Sequence, residues 1–132
     1  MTDAKTPYER AGGEEGLRHL TRRFYELMDT LPEARACRAI HQADLGPARE
    51  KLFEYLSYWL GGPPLFVERH GPPMLRARHL HVPIGKAEIE GWIACFRGAW
   101  AETVDDPALE AWLMPKVEHL AWHMGNKAEP PG

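Results

Sequence analysis

Two histidines in a segment broken by proline are the residues of this chain best suited to chemistry. His79 and His81 follow a short basic stretch and precede Pro83 and Gly85. A neutral imidazole is a common ligand for a metal ion and for a haem iron. Apolar helices on either side would leave His79 facing a nonpolar pocket, which suits an axial haem ligand. Zinc held by both histidines is the rival use of this spacing, but it requires further cysteine or carboxylate ligands nearby.

Polar groups within apolar segments are the second candidate feature. Tyr25 is the only tyrosine in the first long segment whose apolar residues recur every three or four positions, and it directly follows Phe24. Trp92 brings an indole N–H into the apolar stripe of a later segment, and His41 can donate or accept a hydrogen bond. The residues alone leave open whether these side chains bind a ligand or only pack in a core.

Helical segments separated by proline and glycine must position these side chains. Apolar residues recur every three or four positions in four stretches, which indicates the buried faces of helices. The pattern predicts long helices over 14–29, 47–60, 86–104 and 107–124, with short turns after Pro7 and over 34–40. No stretch alternates as a half-buried strand does. The sequence therefore predicts one all-α domain over 1–132, with flexible ends at 1–6 and 126–132.

Composition narrows the functional classes. The chain has 132 residues, a formal net charge of −3 and 44% hydrophobic residues, which is typical of a soluble globular domain. It has no basic stripe interleaved with aromatic residues, which argues against nucleic-acid binding. No apolar run approaches the ~20 residues that span a membrane, and no secretion signal is evident. Cys37 and Cys95 therefore fit reduced core residues of a cytoplasmic protein.

The order and spacing of several motifs resemble a known family, the truncated haemoglobins, and within it the second group. The motifs are Gly12-Gly13, Phe24-Tyr25, His41 before Asp44-Leu45, Trp59-Leu60-Gly61-Gly62-Pro63, Arg76-Ala77-Arg78-His79, Pro83-Ile84 and Trp92. The similarity extends from about Tyr8 to about Asn126. It implies a two-over-two helical sandwich that encloses a b-type haem. The family usually has proline and phenylalanine where this chain has His81 and Val82.

The resemblance also implies roles for the three polar groups and for one histidine. His79, rather than His81, is implied as the iron ligand because it completes the family's Arg-His pair. Tyr25, His41 and Trp92 are implied to converge above the iron as hydrogen-bonding groups.

Haem binding is implied for a further set of side chains, most of them apolar. Ala48 stands where classical globins have a distal histidine, and Leu45 is expected at the rim of the pocket. Two cations are expected to pair with the haem propionates. The full set of expected haem contacts is Lys51, Leu52, Tyr55, Leu56, Leu75, Arg78, Val82, Ile84, Trp92 and Phe96, with Lys51 and Arg78 as the cations.

Three functional classes remain for such a chain. The first is a haem protein that binds dioxygen, and also carbon monoxide, nitric oxide or sulfide, and releases its ligand slowly because several donors hold it. The second is a haem enzyme with peroxidase-like or nitric-oxide-detoxifying activity. It would need an external reductase, because the sequence has no flavin or nicotinamide motif. The third is a helical interaction domain that has lost haem. The residues favour the first class and leave the oligomeric state open.

Overall fold

Proline and glycine mark the boundaries of most helices in this protein. The computed structural model describes residues 5–127. Its helices are α1 (Pro7–Arg10), α2 (Gly13–Thr30), α3 (Arg35–Ala39), α4 (Gly46–Trp59), α5 (Leu65–His70), α6 (Leu75–Arg78), α7 (Lys86–Thr103) and α8 (Pro107–His123), with a 3₁₀ turn at Pro32–Ala34 before α3. The predicted all-α class is confirmed, and the described residues contain no strand. The bounds of the four long helices differ from the predicted ones by one residue at most.

Side-chain caps join the beginning of the fold to its last helix. Thr6 and Glu9 form a capping box at α1, in which each side chain bonds the other residue's backbone N–H. Asp106 caps α8 by accepting from the backbone N–H of Leu109 at 3.0 Å. The same carboxylate accepts two bonds from the guanidinium of Arg10. Thr6 is thus held by contacts although the sequence predicted flexibility for 1–6; residues 1–4 lie outside the described part.

Helices α2 and α7 form the centre of the fold. α2 packs against both α4 and α7, and α7 also packs against α8. This arrangement places one helix pair, α2 and α4, over a second pair, α7 and α8. The described residues include no helix that is both long enough and apolar enough to cross a membrane.

The buried residues of this sandwich form two separate clusters. The larger cluster includes Phe24, Phe96 and Trp100 from α2 and α7. The smaller cluster consists of Ile84, Ile89 and Ala121, with five partly buried side chains packed against it: Ile40, Val82, Trp92, Ile93 and Met124. Trp92 packs against both clusters. Its ring therefore lies at the boundary between the two parts of the core.

The close approach of α7 to the 3₁₀ turn depends on Gly91. A Cβ atom at Gly91 would lie 2.8 Å from the carbonyl oxygen of Glu33 and 3.0 Å from the Cα of Ala34. These are backbone atoms, so we expect Gly91→Ala to lower the free energy of unfolding by about 1–3 kcal/mol through overpacking. Urea denaturation of the two proteins measures this difference.

Gly98 on the same helix provides a matched control. A Cβ atom there would meet only the end of the Leu27 side chain, at 2.9 Å. That side chain can rotate, and alanine is favoured over glycine in a helix by about 1 kcal/mol. We therefore expect Gly98→Ala to change stability much less than Gly91→Ala. Equal losses in the two variants would show that the backbone contact of Gly91 is unimportant.

Candidate functional site

The ring of His79 is oriented by its own helix. His79 directly follows α6, and its Nδ1 donates to the carbonyl oxygen of Leu75 at 2.6 Å. A carbonyl oxygen only accepts, so the hydrogen of the neutral ring is on Nδ1 and the lone pair is on Nε2. A histidine that ligates a metal through Nε2 needs this tautomer. The described residues contain no group of three or more potential metal ligands, so the zinc alternative lacks the ligands that it requires.

Arg78 holds the chain on the N-terminal side of α6. Its Nε donates to the carbonyl of Pro73 at 2.6 Å, and its Nη2 donates to those of His70 and Pro72 at 2.7 and 2.9 Å. The guanidinium also lies over the ring of Phe66, 5.2 Å from its centre. Sequence reasoning expected this cation at a propionate. In the structure its contacts are with the loop before α6, which it closes around the start of that helix.

A buried carboxylate connects α5 to α4. Glu54 is only 4% exposed, and its two oxygens bind Arg69 Nη1 at 2.5 Å and His70 Nε2 at 2.8 Å. Burial alone would raise the pKa of Glu54, but the hydrogen bonds from Arg69 and His70 outweigh burial and lower it. Glu54 was not predicted as a site residue. The one available signal was a carboxylate on the inward side of α4.

Tyr25 and Trp92 both pack against the ring of Phe24, and His41 packs against Tyr25. The ring centre of Phe24 lies 4.7 Å from that of Tyr25 and 5.2 Å from that of Trp92. His41 meets Tyr25 edge-on, with ring centres 6.0 Å apart. Burial raises the pKa of Tyr25, with smaller contributions from Cys37 and Cys95. The phenol therefore keeps its proton at neutral pH and can donate it.

His41 has a different hydrogen-bonding role from the other two. Its Nδ1 donates to the carbonyl oxygen of Cys37 at 2.8 Å. Burial is the largest influence on its pKa and lowers it, so the ring is neutral near pH 7. The neutral ring then has a lone pair on Nε2, which can only accept. Among these three side chains, Tyr25 and Trp92 can therefore donate a hydrogen bond, whereas the free ring nitrogen of His41 can only accept one.

The expected haem contacts differ in burial. Three are buried (Leu56, Ile84 and Phe96) and two are exposed (Lys51 and Arg78). The others are half-buried, as are the two additional residues expected near them: Leu52, Tyr55, Leu75, Val82 and Trp92, with Leu45 and Ala48. Several of these half-buried side chains pack against the larger core cluster, and Val82 packs against the smaller one.

Comparison with known proteins assigns the chain to a family. The family described as bacterial-like globin matches residues 6–126. The chain belongs to this family. A group II 2-on-2 haemoglobin of Agrobacterium tumefaciens has the same fold with a TM-score of 0.93 and 53% identity, over 96% of this chain and 98% of that one. The assignment to the group II truncated haemoglobins made from sequence motifs is confirmed.

A curated sequence and a solved structure from Bacillus subtilis support the same assignment. A curated group 2 truncated haemoglobin, YjbI, is 38% identical over 93% of this chain and 90% of its own length. The X-ray structure of a truncated haemoglobin from this organism, described as oxygen-avid, has a TM-score of 0.82 and 38% identity. It covers 92% of this chain and 100% of that one.

Membership of a haemoglobin family implies a haem cofactor and small gaseous ligands. The residues of this globin fit such a group. The free Nε2 of His79 would supply a ligand for the haem iron, and the apolar boundary between the two core clusters would suit the nonpolar faces of a macrocycle. The protonated phenol of Tyr25 would supply a donor for a bound ligand.

The structure of this globin also contains a cleft that sequence reasoning missed. It has a volume of about 500 Å³ and lies between the end of α4 and one face of α8. The lining residues are Trp59, Pro115, Lys116, His119, Leu120 and His123. Ile40, Ile93 and Met124, at the boundary of the smaller core cluster, were likewise not predicted as site residues. Helical spacing indicates that Ile93 and Met124 are buried, but it does not distinguish a core residue from a residue of a site.

Proposed function

We propose that this truncated haemoglobin binds b-type haem through His79 and holds dioxygen in a distal pocket from which release is slow. The observation that carries the proposal is the bond between His79 Nδ1 and the carbonyl oxygen of Leu75. It orients the ring and leaves Nε2 as a ligand. The oxygen-avid relative from Bacillus subtilis supports the choice of dioxygen.

Haem, when bound, supplies an iron that coordinates diatomic molecules reversibly. The protein supplies the surroundings. Leu75 keeps the ring of His79 in one tautomer, which raises its basicity as a ligand. Leu52 and Val82 offer apolar contacts from opposite sides of the core boundary. Lys51 is exposed, one position before Leu52, and its ammonium can pair with a propionate. Arg78 is proposed for the same role through the nitrogen of its guanidinium that makes no hydrogen bond to the loop carbonyls.

The distal side of this pocket is built to hold a polarised ligand. Dioxygen held by a haem iron would carry negative charge, and donors aimed at it would form charge-assisted hydrogen bonds. Tyr25 and Trp92 are the donors, while the ring of His41 packs edge-on against Tyr25 and helps to orient the phenol. Carbon monoxide, nitric oxide and sulfide are proposed as further ligands.

Spectra of the purified protein test this proposal. After addition of one equivalent of haemin, we expect a Soret band, a distinct ferrous spectrum on reduction and a further shift with carbon monoxide. Stopped-flow mixing of the oxygenated protein with excess carbon monoxide measures the release of dioxygen. Failure to take up haem would refute the proposal. Rapid peroxide or nitric-oxide turnover with an added reductase would favour the enzymatic alternative instead.

Trp92→Phe is expected to change both ligand rates. The indole stacks on Phe96 with ring centres 5.5 Å apart and meets Phe24 edge-on. Phenylalanine keeps an aromatic ring but removes the N–H and leaves space. We expect faster release of dioxygen, because a donor is lost, and faster association of carbon monoxide, because access widens. Flash photolysis and stopped-flow kinetics measure the two rates.

Trp122→Phe is the matched control, since Trp122 is 45% exposed on α8. It should leave both rates unchanged. If Trp92→Phe lowers only the stability of the protein, with both rates as in the parent, Trp92 is a core residue and not a distal donor.

We also propose that the protein works in a reducing compartment such as the cytoplasm. Cys37 and Cys95 are buried free thiols. Burial raises the pKa of Cys37 to about 12 and that of Cys95 to about 11, so neither forms a reactive thiolate at neutral pH.

A further inference from the structure

The segment after α8 reaches back to the loop that contains His79. The side chain of Asn126 makes three hydrogen bonds with this loop. Its Nδ2 donates to the carbonyl oxygens of His79 at 3.2 Å and Val82 at 2.9 Å, and its Oδ1 accepts from the backbone N–H of Ile84 at 3.0 Å. Two carbonyls and one N–H permit only one orientation of the amide. Sequence reasoning placed this residue in a flexible tail, from 126 to 132.

Backbone contacts reinforce this connection. The N–H groups of Asn126 and Lys127 both donate to the carbonyl of Ile84, at 2.9 and 3.0 Å. Lys127 Nζ lies 3.0 Å from an oxygen of Glu88, and the same oxygen accepts from the N–H of Gly85 at 2.6 Å. The loop end that precedes α7 is therefore tied to the tail at several points. Residues 128–132 lie outside the described part.

The loop itself has little regular structure to hold it. It runs from His79, at the end of α6, to Gly85, which caps α7. Arg78 binds three carbonyls on the near side of His79. On the far side, the side chain of Asn126 makes hydrogen bonds with the loop backbone at three residues. His79 thus lies between two clamps, one on each side.

We infer that Asn126 is a positioning residue, which sets the backbone of His79 and thereby the direction of its imidazole toward the haem iron. The inference depends on the proposed haem function. Loss of the amide would leave the Val82 carbonyl without its donor and the His79 carbonyl with only the Val82 N–H, at 3.2 Å, and would let the backbone at 79–84 shift. The ring could then tilt even though its bond to Leu75 remains possible.

Two substitutions test this role. Asn126→Ala removes all three side-chain bonds. Asn126→Asp keeps the size and the acceptor for the Ile84 N–H but replaces the two donors with an oxygen that faces two carbonyls. We expect both variants to lose haem to apomyoglobin about tenfold faster than the parent, which corresponds to about 1.4 kcal/mol. The iron–histidine stretching band of the ferrous protein should broaden or shift in both.

Gln42→Ala is the matched control. Gln42 carries the other primary amide of the chain and is exposed. It should keep the parent's haem-loss rate within twofold and an unchanged stretching band. A general loss of stability does not by itself move that band, so the band distinguishes positioning from a merely structural effect.

The apo-protein gives a second readout that does not need haem. The Ile84 amide should exchange its hydrogen at least tenfold faster in Asn126→Ala than in the parent, because its acceptor is lost. If the parent fails to bind haem, the proposed function fails, while this exchange still tests the clamp. Haem loss within twofold of the parent and an unchanged stretching band in Asn126→Asp would overturn the inference, even if Asn126→Ala unfolds.

Discussion

His79→Ala is expected to abolish tight haem retention. Loss of the groups that merely orient a metal ligand lowers metal affinity about 10–100-fold, so removal of the axial ligand itself should accelerate haem loss by more than about 100-fold. Alanine leaves the Leu75 carbonyl, at the start of α6, with the backbone N–H of residue 79 as its donor at 3.2 Å. The fold should therefore survive. Haem transfer to apomyoglobin, followed in the Soret region, measures the rate.

His81→Ala is the natural comparison for this substitution. His81 is also exposed and is two positions away, but of these two histidines only His79 has a ring that is bonded to the preceding helical turn. We expect His81→Ala to retain haem as the parent does. Normal retention by His79→Ala together with rapid loss by His81→Ala would reverse the assignment of the axial ligand.

Tyr25→Phe is expected to speed the release of dioxygen by one to two decades. The substitution removes one hydroxyl and leaves the ring packed against Phe24. A hydrogen bond to a charged acceptor contributes about 1.5–3 kcal/mol, and about 1.4 kcal/mol corresponds to a factor of ten. Carbon monoxide depends less on such a donor, so its dissociation should change less. Stopped-flow displacement measures both rates.

The same change at an exposed tyrosine separates the hydrogen bond from a general effect. Tyr58 is 37% exposed on α4, and Tyr58→Phe should leave the release of dioxygen unchanged. Release from Tyr25→Phe within twofold of the parent would exclude Tyr25 as a donor to the ligand.

Local signals explain why most of the fold could be predicted. Pro47 and Pro107 lie at the starts of helices. In each long helix the apolar residues of the buried face recur every three or four positions. The choice of His79 over His81 came from the family's motif, and the zinc alternative was open until the structure showed no third ligand among the described residues. The positions of Tyr25 and Trp92 on apolar faces were likewise visible in the sequence.

Contacts between distant segments explain what could not be predicted. Asn126 meets His79 across 47 positions of sequence, and Glu54 meets His70 across 16. Nothing in either residue's neighbourhood indicates its partner. The tautomer of His41 depends on a carbonyl that only the fold of α3 brings within 2.8 Å. The motif gives the position of Arg78 but not the loop that surrounds its guanidinium, so the three carbonyls that it binds could not be predicted.

The distance in sequence between Asn126 and the loop that it holds has a consequence for biosynthesis. Chains are made at roughly 5–20 residues per second, so the 47 positions between His79 and Asn126 correspond to roughly 2–10 s of translation. During that interval the nascent chain already contains Tyr25 and His79, and it gains Trp92 and α7. It does not yet contain the amide that holds the loop. If Asn126 positions His79 as inferred, insertion of haem with a correctly directed ring is a late event, which follows the emergence of Asn126 from the ribosome.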